Sequence, residues 1–98
     1  MLASQGMSEQ PGITFTAFVL SLAQTAAVHF GDVADPVSGT SQPNLQAAAQ
    51  MIDILAMLHD KTQGNLAPEE VELVTRLLYE LRMRYVEASQ GQKRIIIP

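Results

Sequence analysis

Apolar residues recur at helical spacing in three segments of the chain. The first occupies residues 14–30 and stops at Gly31, a residue that readily adopts the left-handed conformation common at helix ends. The second occupies residues 45 to 61 or 62 and stops before Gly64. The third occupies residues 68–87 and starts at a proline, which is harmless in a first turn because its missing N–H would have no helical partner there. The pattern therefore predicts three helices.

The first segment carries no charge between Phe15 and Phe30, where eleven of sixteen residues are apolar. At about 1.5 Å per residue it is too short to span a bilayer of about 30 Å, so it predicts a buried or docking helix. Its apolar face is expected to lie against the core and comprises Phe15, Val19, Leu22, Ala23, Ala26 and Phe30. The small, uncharged side chains opposite or at its margin suit the approach of a second helix: Ser21, Gln24, Thr25 and His29.

The second segment is apolar over more than half of its circumference, which predicts that it contacts two neighbours and forms the middle of the bundle. Its central apolar positions are Leu45, Ala48, Ala49, Ile52, Leu55 and Ala56, and Met51, Ile54 and Leu58 widen one side. The strip expected to face solvent comprises Gln46, Gln50, Asp53, Asp60 and Lys61.

The third segment has the apolar repeat of an antiparallel helix pair, at Val71, Val74, Leu78, Leu81 and Tyr85. The turn at residues 63–65 is short enough to enforce pairing with the second helix. The opposite side carries charges that alternate at four-residue spacing and predict a solvent-exposed ladder: Glu72, Arg76, Glu80 and Arg84. Tyr79 and Met83 lie one turn apart on that outer side and form a candidate contact patch.

Together these patterns predict an all-α fold. Helices two and three form an antiparallel hairpin in a three-helix bundle, and helix one packs across or against it. We expect one helical domain at residues 14–87, between flexible flanks at residues 1–13 and 88–98. The closing KRIIIP segment is either an apolar end of that tail or a segment that orders on a partner. Met7 is an alternative to Met1 as the start of the protein.

The composition narrows the classes of protein to consider. A chain of 98 residues forms one domain at most, and 47% hydrophobic with 16% charged residues excludes a disordered polypeptide. Because the chain has no cysteine, it has neither disulfides nor thiolate metal sites. The net charge of −4 argues against nucleic-acid binding, although residues 76–98 have an excess of cations. The chain starts without the features of a secretory or transit signal, so a cytoplasmic location is expected.

Few residues are candidates for chemistry. His29, Asp32 and Asp35 are spaced so that they could ligate a divalent metal, but a plain helix end is the favoured interpretation. His59 falls within the apolar arc of the second helix, where a hydrogen-bonded imidazole in the core or at its edge is expected. No phosphate-binding glycine cluster or metalloprotease histidine pair is present in the sequence. We therefore predict no catalytic residue, no metal and no cofactor.

Two runs carry a resemblance to a known family: IDILAMLHDKTQGNLAPEE at residues 52–70 and LLYELRMRYVE at residues 77–87. With FTAFVLSLAQTAAVHFGDVADP at residues 15–36, they make the chain resemble the small bacterial family catalogued as domain of unknown function 1844. The resemblance implies a small, helical, cytoplasmic bacterial protein and assigns no activity. Relatives tend to have Thr where this chain has Ala67, so a helix cap worth about 1 kcal/mol is absent here.

We therefore expect a non-catalytic module for protein interaction or oligomerisation, whose partner is a second copy or another protein. Its expected surface comprises Phe15, Phe18, Val19, Leu22, Ala26, Phe30, Tyr79 and Met83. A peripheral membrane-associated protein is the alternative, although helix one lacks the Lys and Arg residues that interfacial helices carry. An enzyme that uses His29 or His59 is the third hypothesis.

Overall fold

The computed structural model describes the backbone of residues 12–96 and the side chains of residues 12–91. This part of the chain forms three α-helices and no strand: α1 (Phe15–Phe30), α2 (Leu45–Lys61) and α3 (Pro68–Ile96). The predicted all-α fold is confirmed, with α2 and α3 as an antiparallel hairpin and α1 packed against both of its helices.

The ends of α1 lie where the sequence predicts them, because the terminal backbone groups find partners there. Thr14 Oγ1 accepts a hydrogen bond from the N–H of Ala17 at 3.0 Å, which caps the first turn. Gly31 has a φ of 84°. Its N–H and that of the next residue donate to the carbonyls of Val28 and Ala27 at 2.9 and 3.0 Å, which is the Schellman arrangement that ends a helix.

Backbone hydrogen bonds organise the connection between α1 and α2. The carbonyl of Asp35 accepts a hydrogen bond from the N–H of Gly39 at 2.7 Å. The N–H of Asn44 donates to the carbonyl of His29 at 2.6 Å, which ties the start of α2 to the end of α1. Asn44 Oδ1 then accepts a hydrogen bond from the N–H of Ala47 at 3.1 Å, which caps α2 at the predicted start of the helix.

The core consists of apolar side chains from all three helices. The buried residues are Val19, Ala26, Phe30, Ala48, Ile52, Leu55, Val74 and Leu78. The predicted inward face of α1 and the central position of α2 are confirmed. Ile54 of α2 is exposed, because the neighbouring helices cover only the arc centred on Ile52 and Leu55. No polar side chain among the described residues is buried, so stability rests on apolar packing.

Val71 is exposed, so its predicted place in the seam of α3 is wrong. The buried arc begins at Val74 and extends towards Leu73 and Leu77, which pack against the core. Val71 lies on the same side of α3 as the buried Leu78, which follows it by seven positions, so its exposure comes from its place in the first turn of the helix. Leu66, in the connection before α3, packs against the core, whereas Val71 does not.

The third helix continues to Ile96, so the sequence-based boundary at Glu87 lies too early. Residues 88–94 contain no proline and a single glycine, Gly91, which costs only about 1 kcal/mol in a helix. Ala88 also packs against the core and favours continuation of the helix. The choice between Met1 and Met7, and the side chains of the KRIIIP segment, lie outside the described residues.

The first turn of α3 has half of a capping box. The N–H of Ala67 donates to Glu70 Oε1 at 2.8 Å. The reciprocal bond is missing because alanine has no side-chain oxygen to accept from the N–H of Glu70.

We expect Ala67→Thr to complete this box and to raise the free energy of unfolding by about 1 kcal/mol. The matched control is Ala67→Val, which has the same branched shape without the hydroxyl. Urea denaturation of the three proteins checks this expectation. Equal stability of the Thr and Val variants would contradict it.

We expect Gly31→Ala to destabilise the fold more than Gly39→Ala does. Both glycines have positive φ, at 84° and 73°, so a side chain costs about 1–2 kcal/mol at either position. Only at Gly31 would the new Cβ also meet a neighbour, Pro43 Cγ at 2.9 Å. This contact should add about 1 kcal/mol in urea denaturation. Equal losses at the two positions would show that Pro43 does not constrain the end of α1.

Candidate interaction surface

Three of the α1 residues predicted for the interaction surface lie in the core. Val19 and Ala26 are fully buried and Phe30 is almost so. Phe15 and Leu22 are half-buried and pack against the same core. The apolar face of α1 is the face that α2 and α3 cover, so the buried three are not accessible to a partner. This part of the predicted surface is wrong.

Two large apolar side chains of α1 stay partly exposed, on opposite margins of its outward side. Phe18 is 43% exposed, as the surface prediction requires, and Leu20 is 46% exposed. The hydroxyls of Ser21 and Thr25 donate to α1 carbonyls at 2.7 and 3.0 Å, so they are satisfied within the helix itself. The outer side of α1 therefore offers two large apolar side chains and no charge.

A groove between α2 and α3 has a longer apolar wall. Tyr79 and Met83 are 65% and 52% exposed, as predicted, and Val86 continues the row at 48%. These side chains line two adjoining depressions of about 400 and 310 Å³ along the hairpin. We call this feature the α2/α3 groove, with Tyr79, Met83 and Val86 as its α3 wall. Val86 was not among the residues predicted for the interaction surface. It follows Tyr79 by seven positions and therefore lies on the same side of the helix.

The α2 wall of the groove differs in size and charge from the α3 wall. It presents the small side chains of Ala49 and Ala56 and the carboxylates of Asp53 and Asp60, with the buried Ile52 at its base and His59 at its edge. The α3 wall is bulky and carries one cation, Arg82, which lines both depressions. Within the described side chains, neither Arg82 nor Asp53 takes part in a salt bridge.

Arg84 ties α3 to the end of α1. Its Nε and Nη2 donate to the two carboxylate oxygens of Asp32 at 2.8 and 2.7 Å, a bidentate geometry. The guanidinium carbon also lies 5.3 Å from the centroid of the Phe30 ring, within the range of a cation–π contact. Glu87 approaches the same guanidinium at 3.7 Å. One side chain thus holds together the last turn of α1, the turn after it and α3.

This role of Arg84 corrects the prediction of a continuous solvent-exposed ladder. Glu72, Arg76 and Glu80 are exposed, and the described side chains form no salt bridge between successive members of the ladder. A signal was present in the sequence, since Arg84 follows Leu77 by seven residues and therefore lies on the same side of α3. Its partner could not be read from the sequence, because Asp32 is 52 positions away.

The contact changes the pKa of both groups. The hydrogen bond from Arg84 lowers the pKa of Asp32 below its ordinary value of 3.8, against a smaller opposing effect of burial. The hydrogen bond to Asp32 raises the pKa of Arg84. Arg84 also places a cation next to the carbonyl end of α1, where the helix dipole favours positive charge.

His29, Asp32 and Asp35, which the sequence allowed as metal ligands, are not grouped as a metal site in the structure. Asp32 is engaged by Arg84, and the Asp35 carboxylate accepts a backbone N–H of its own turn at 2.8 Å. Among the described residues, no three His, Asp or Glu side chains are grouped to hold a metal. A depression of about 590 Å³ beside His29 also includes Ser38, whose hydroxyl is 2.9 Å from that of Thr40 rather than bonded to the imidazole.

Of the two positions that the sequence allows for His59, the core or its edge, the structure shows the edge. Its side chain is partly exposed because it lines the open α2/α3 groove. Nδ1 lies 3.6 Å from Oδ1 of Asp60, too far for a hydrogen bond. His59 is therefore a polar residue at the edge of the groove.

Comparison with known proteins identifies the family of this chain. A family model described as Domain of unknown function (DUF1844) matches residues 12–87. The chain belongs to this family. No curated protein and no solved structure matches it. Within residues 12–96, no helix is both long enough and apolar enough to cross a membrane.

The match covers the structural features of this DUF1844 domain described above. It includes α1, α2 and the part of α3 as far as Glu87. The Arg84–Asp32 contact and the α2/α3 groove both lie inside it. The last turns of α3 lie beyond it.

We expect Asp32→Asn to lower the free energy of unfolding of the DUF1844 domain by about 1 kcal/mol at pH 7, because the pair is bidentate but partly exposed to solvent. The pKa of Asp32 is lower in the folded than in the unfolded state. The pair is therefore fully stabilising above the unfolded value, and its contribution is lost as the pH falls through the folded value.

Urea denaturation between pH 7 and pH 2 should show the wild-type and Asp32→Asn proteins converging below about pH 4. Glu72→Gln is the matched control, since Glu72 is exposed, does not line the α2/α3 groove and forms no salt bridge with the described side chains. A difference between wild type and Asp32→Asn that stays constant with pH would argue against a charge-dependent contact.

Proposed function

We propose that this DUF1844 domain is a non-catalytic protein-interaction module whose docking surface is the α2/α3 groove. The observation that carries the proposal is the row of Tyr79, Met83 and Val86, which stay about half exposed or more along one side of α3. Their spacing keeps them in line over two helical turns. A continuous apolar row beside a groove is typical of a surface that another helix covers.

The chemistry of the row supports this interpretation. Tyrosine and methionine are enriched in protein interfaces, since tyrosine buries a large ring while keeping a polar end and methionine adapts its shape to a partner. Burial of their exposed area would stabilise a complex by about 25 cal/mol per Å². The charges of Arg82, Asp53 and Asp60 lie along the same groove and would select the orientation of a partner.

The proposal gives no catalytic role to the two histidines. His59 lines the groove at 3.6 Å from Asp60, and Ser38, which shares a depression with His29, has its hydroxyl engaged by Thr40. General acid–base or nucleophilic catalysis would need hydrogen-bonded partners at these positions.

We propose that the protein is located in the cytoplasm. A chain without cysteine that is held together by apolar packing does not need an oxidising compartment to form disulfides.

The test is a double substitution on the exposed row, Tyr79→Lys with Met83→Lys. The matched control is Val37→Lys, because Val37 is 95% exposed in the connection between α1 and α2. Sedimentation equilibrium at tens of micromolar and capture from a bacterial lysate measure association with a second copy and with other proteins. Circular dichroism checks that both variants keep the fold.

We expect the wild-type and Val37→Lys proteins to associate and the double variant to lose at least about tenfold in affinity, as for central interface residues. A wild-type protein that is monomeric and captures nothing would contradict the proposal. So would association that the double variant retains. Co-sedimentation with anionic lipid vesicles at low salt, abolished by the double variant, would instead favour the membrane-associated alternative.

A further inference from the structure

We infer that the occupant of the α2/α3 groove is a second copy of this chain, docked groove to groove about a two-fold axis that runs along the groove. The inference rests on the proposed function and adds the partner and its geometry. In this dimer the α2 of each subunit lies over the α3 of the other. The four helices form an antiparallel bundle across the interface.

The exposed side chains of the two walls differ in size, with alanines on α2 and a bulky row on α3. A two-fold axis along the groove places Ala49 and Ala56 of one subunit opposite Tyr79, Met83 and Val86 of the other. Small residues then face large ones, which allows close packing without voids. A two-fold axis across the groove would set each wall against its own copy. Tyr79 and Met83 would then meet the same bulky row, and the alanines would face each other across a gap.

The charges along the groove select the same two-fold axis independently of side-chain size. Arg82 lies between the levels of Asp53 and Asp60, since it lines a depression with each of them. Rotation about an axis along the groove preserves these levels and exchanges the two walls. Arg82 therefore faces Asp53 and Asp60 of the partner subunit, and the reverse contact forms at the same time. The crossing axis would bring Arg82 near Arg82 and the aspartates near each other, which is repulsive.

The charges on this surface are available for such contacts. Arg82 and Asp53 form no salt bridge within the described side chains, and Asp60 has only the 3.6 Å approach of His59. Arg84, two positions from Arg82, is by contrast committed to Asp32 on the far side of α3. Arg84 thus makes the intramolecular ion pair, and Arg82 is left to make the intermolecular one.

A charge exchange tests the geometry. One variant carries Arg82→Glu and the other carries Asp53→Lys with Asp60→Lys. In the inferred dimer, each variant alone sets like charges against each other and should weaken self-association at least about tenfold. An equimolar mixture pairs the new glutamate of one variant with the two new lysines of the other, and the unchanged Arg82 with the unchanged aspartates. The mixture should regain association close to that of the wild type, measured by sedimentation equilibrium at low salt.

Three results would overturn the inference. The first is a wild-type protein that is monomeric at tens of micromolar. The second is self-association that the separate variants retain, and the third is a mixture that associates no better than its components. If the wild type is monomeric but captures another protein through Tyr79 and Met83, the proposed function stands and the inference about the second copy fails.

Engineered cysteines give a readout that does not depend on charge, since the chain has no cysteine of its own. Ala56→Cys and Met83→Cys lie on opposite walls of the same depression. Mixing the two single variants under mild oxidation should give a disulfide between an Ala56→Cys chain and a Met83→Cys chain, identified by mass spectrometry of the linked peptides. Preferential linkage of each variant to itself would indicate the crossing axis and overturn the inferred geometry.

Discussion

The structure depends on burying one face of a helix that has no charged residue. Water cannot favourably surround the apolar side of α1, and the hairpin of α2 and α3 covers it through Val19, Ala26 and Phe30. These side chains meet Leu55 and Val74, which are also fully buried. Because no described polar side chain is buried, this apolar contact is the dominant source of cohesion in the domain.

One side of the α2/α3 hairpin is covered by α1, and the other side stays open. A domain of this size cannot enclose all of its apolar surface, and residues 12–96 supply no fourth element for the second side. The α2/α3 groove follows from this shortage, and its Tyr79, Met83 and Val86 are apolar residues that the described part of the chain leaves uncovered. The proposed interaction is thus a consequence of the way the fold buries α1.

Arg84 fixes the alignment of α1 with α3. Apolar packing alone resists separation of helices but only weakly specifies their rotation and end-to-end position. The bidentate contact with Asp32, together with the Phe30 ring beneath the guanidinium, fixes the end of α1 against one turn of α3. Gly31 contributes to the same alignment, because its left-handed conformation and its closeness to Pro43 set the direction in which the chain leaves α1.

The sequence by itself determined the family, the apolar faces and most helix ends, because these depend on residue order and nearby groups. The predicted end of α1 at Gly31 and the predicted starts of α2 at residue 45 and of α3 at residue 68 are confirmed, but the polar residues after Glu87 do not stop α3. Only the tertiary structure decided which apolar faces are covered, which row of the groove stays exposed, and that Arg84 meets a carboxylate 52 residues away. Periodicity reports a residue's direction on its own helix, whereas burial and ion pairing depend on which other helix lies in that direction.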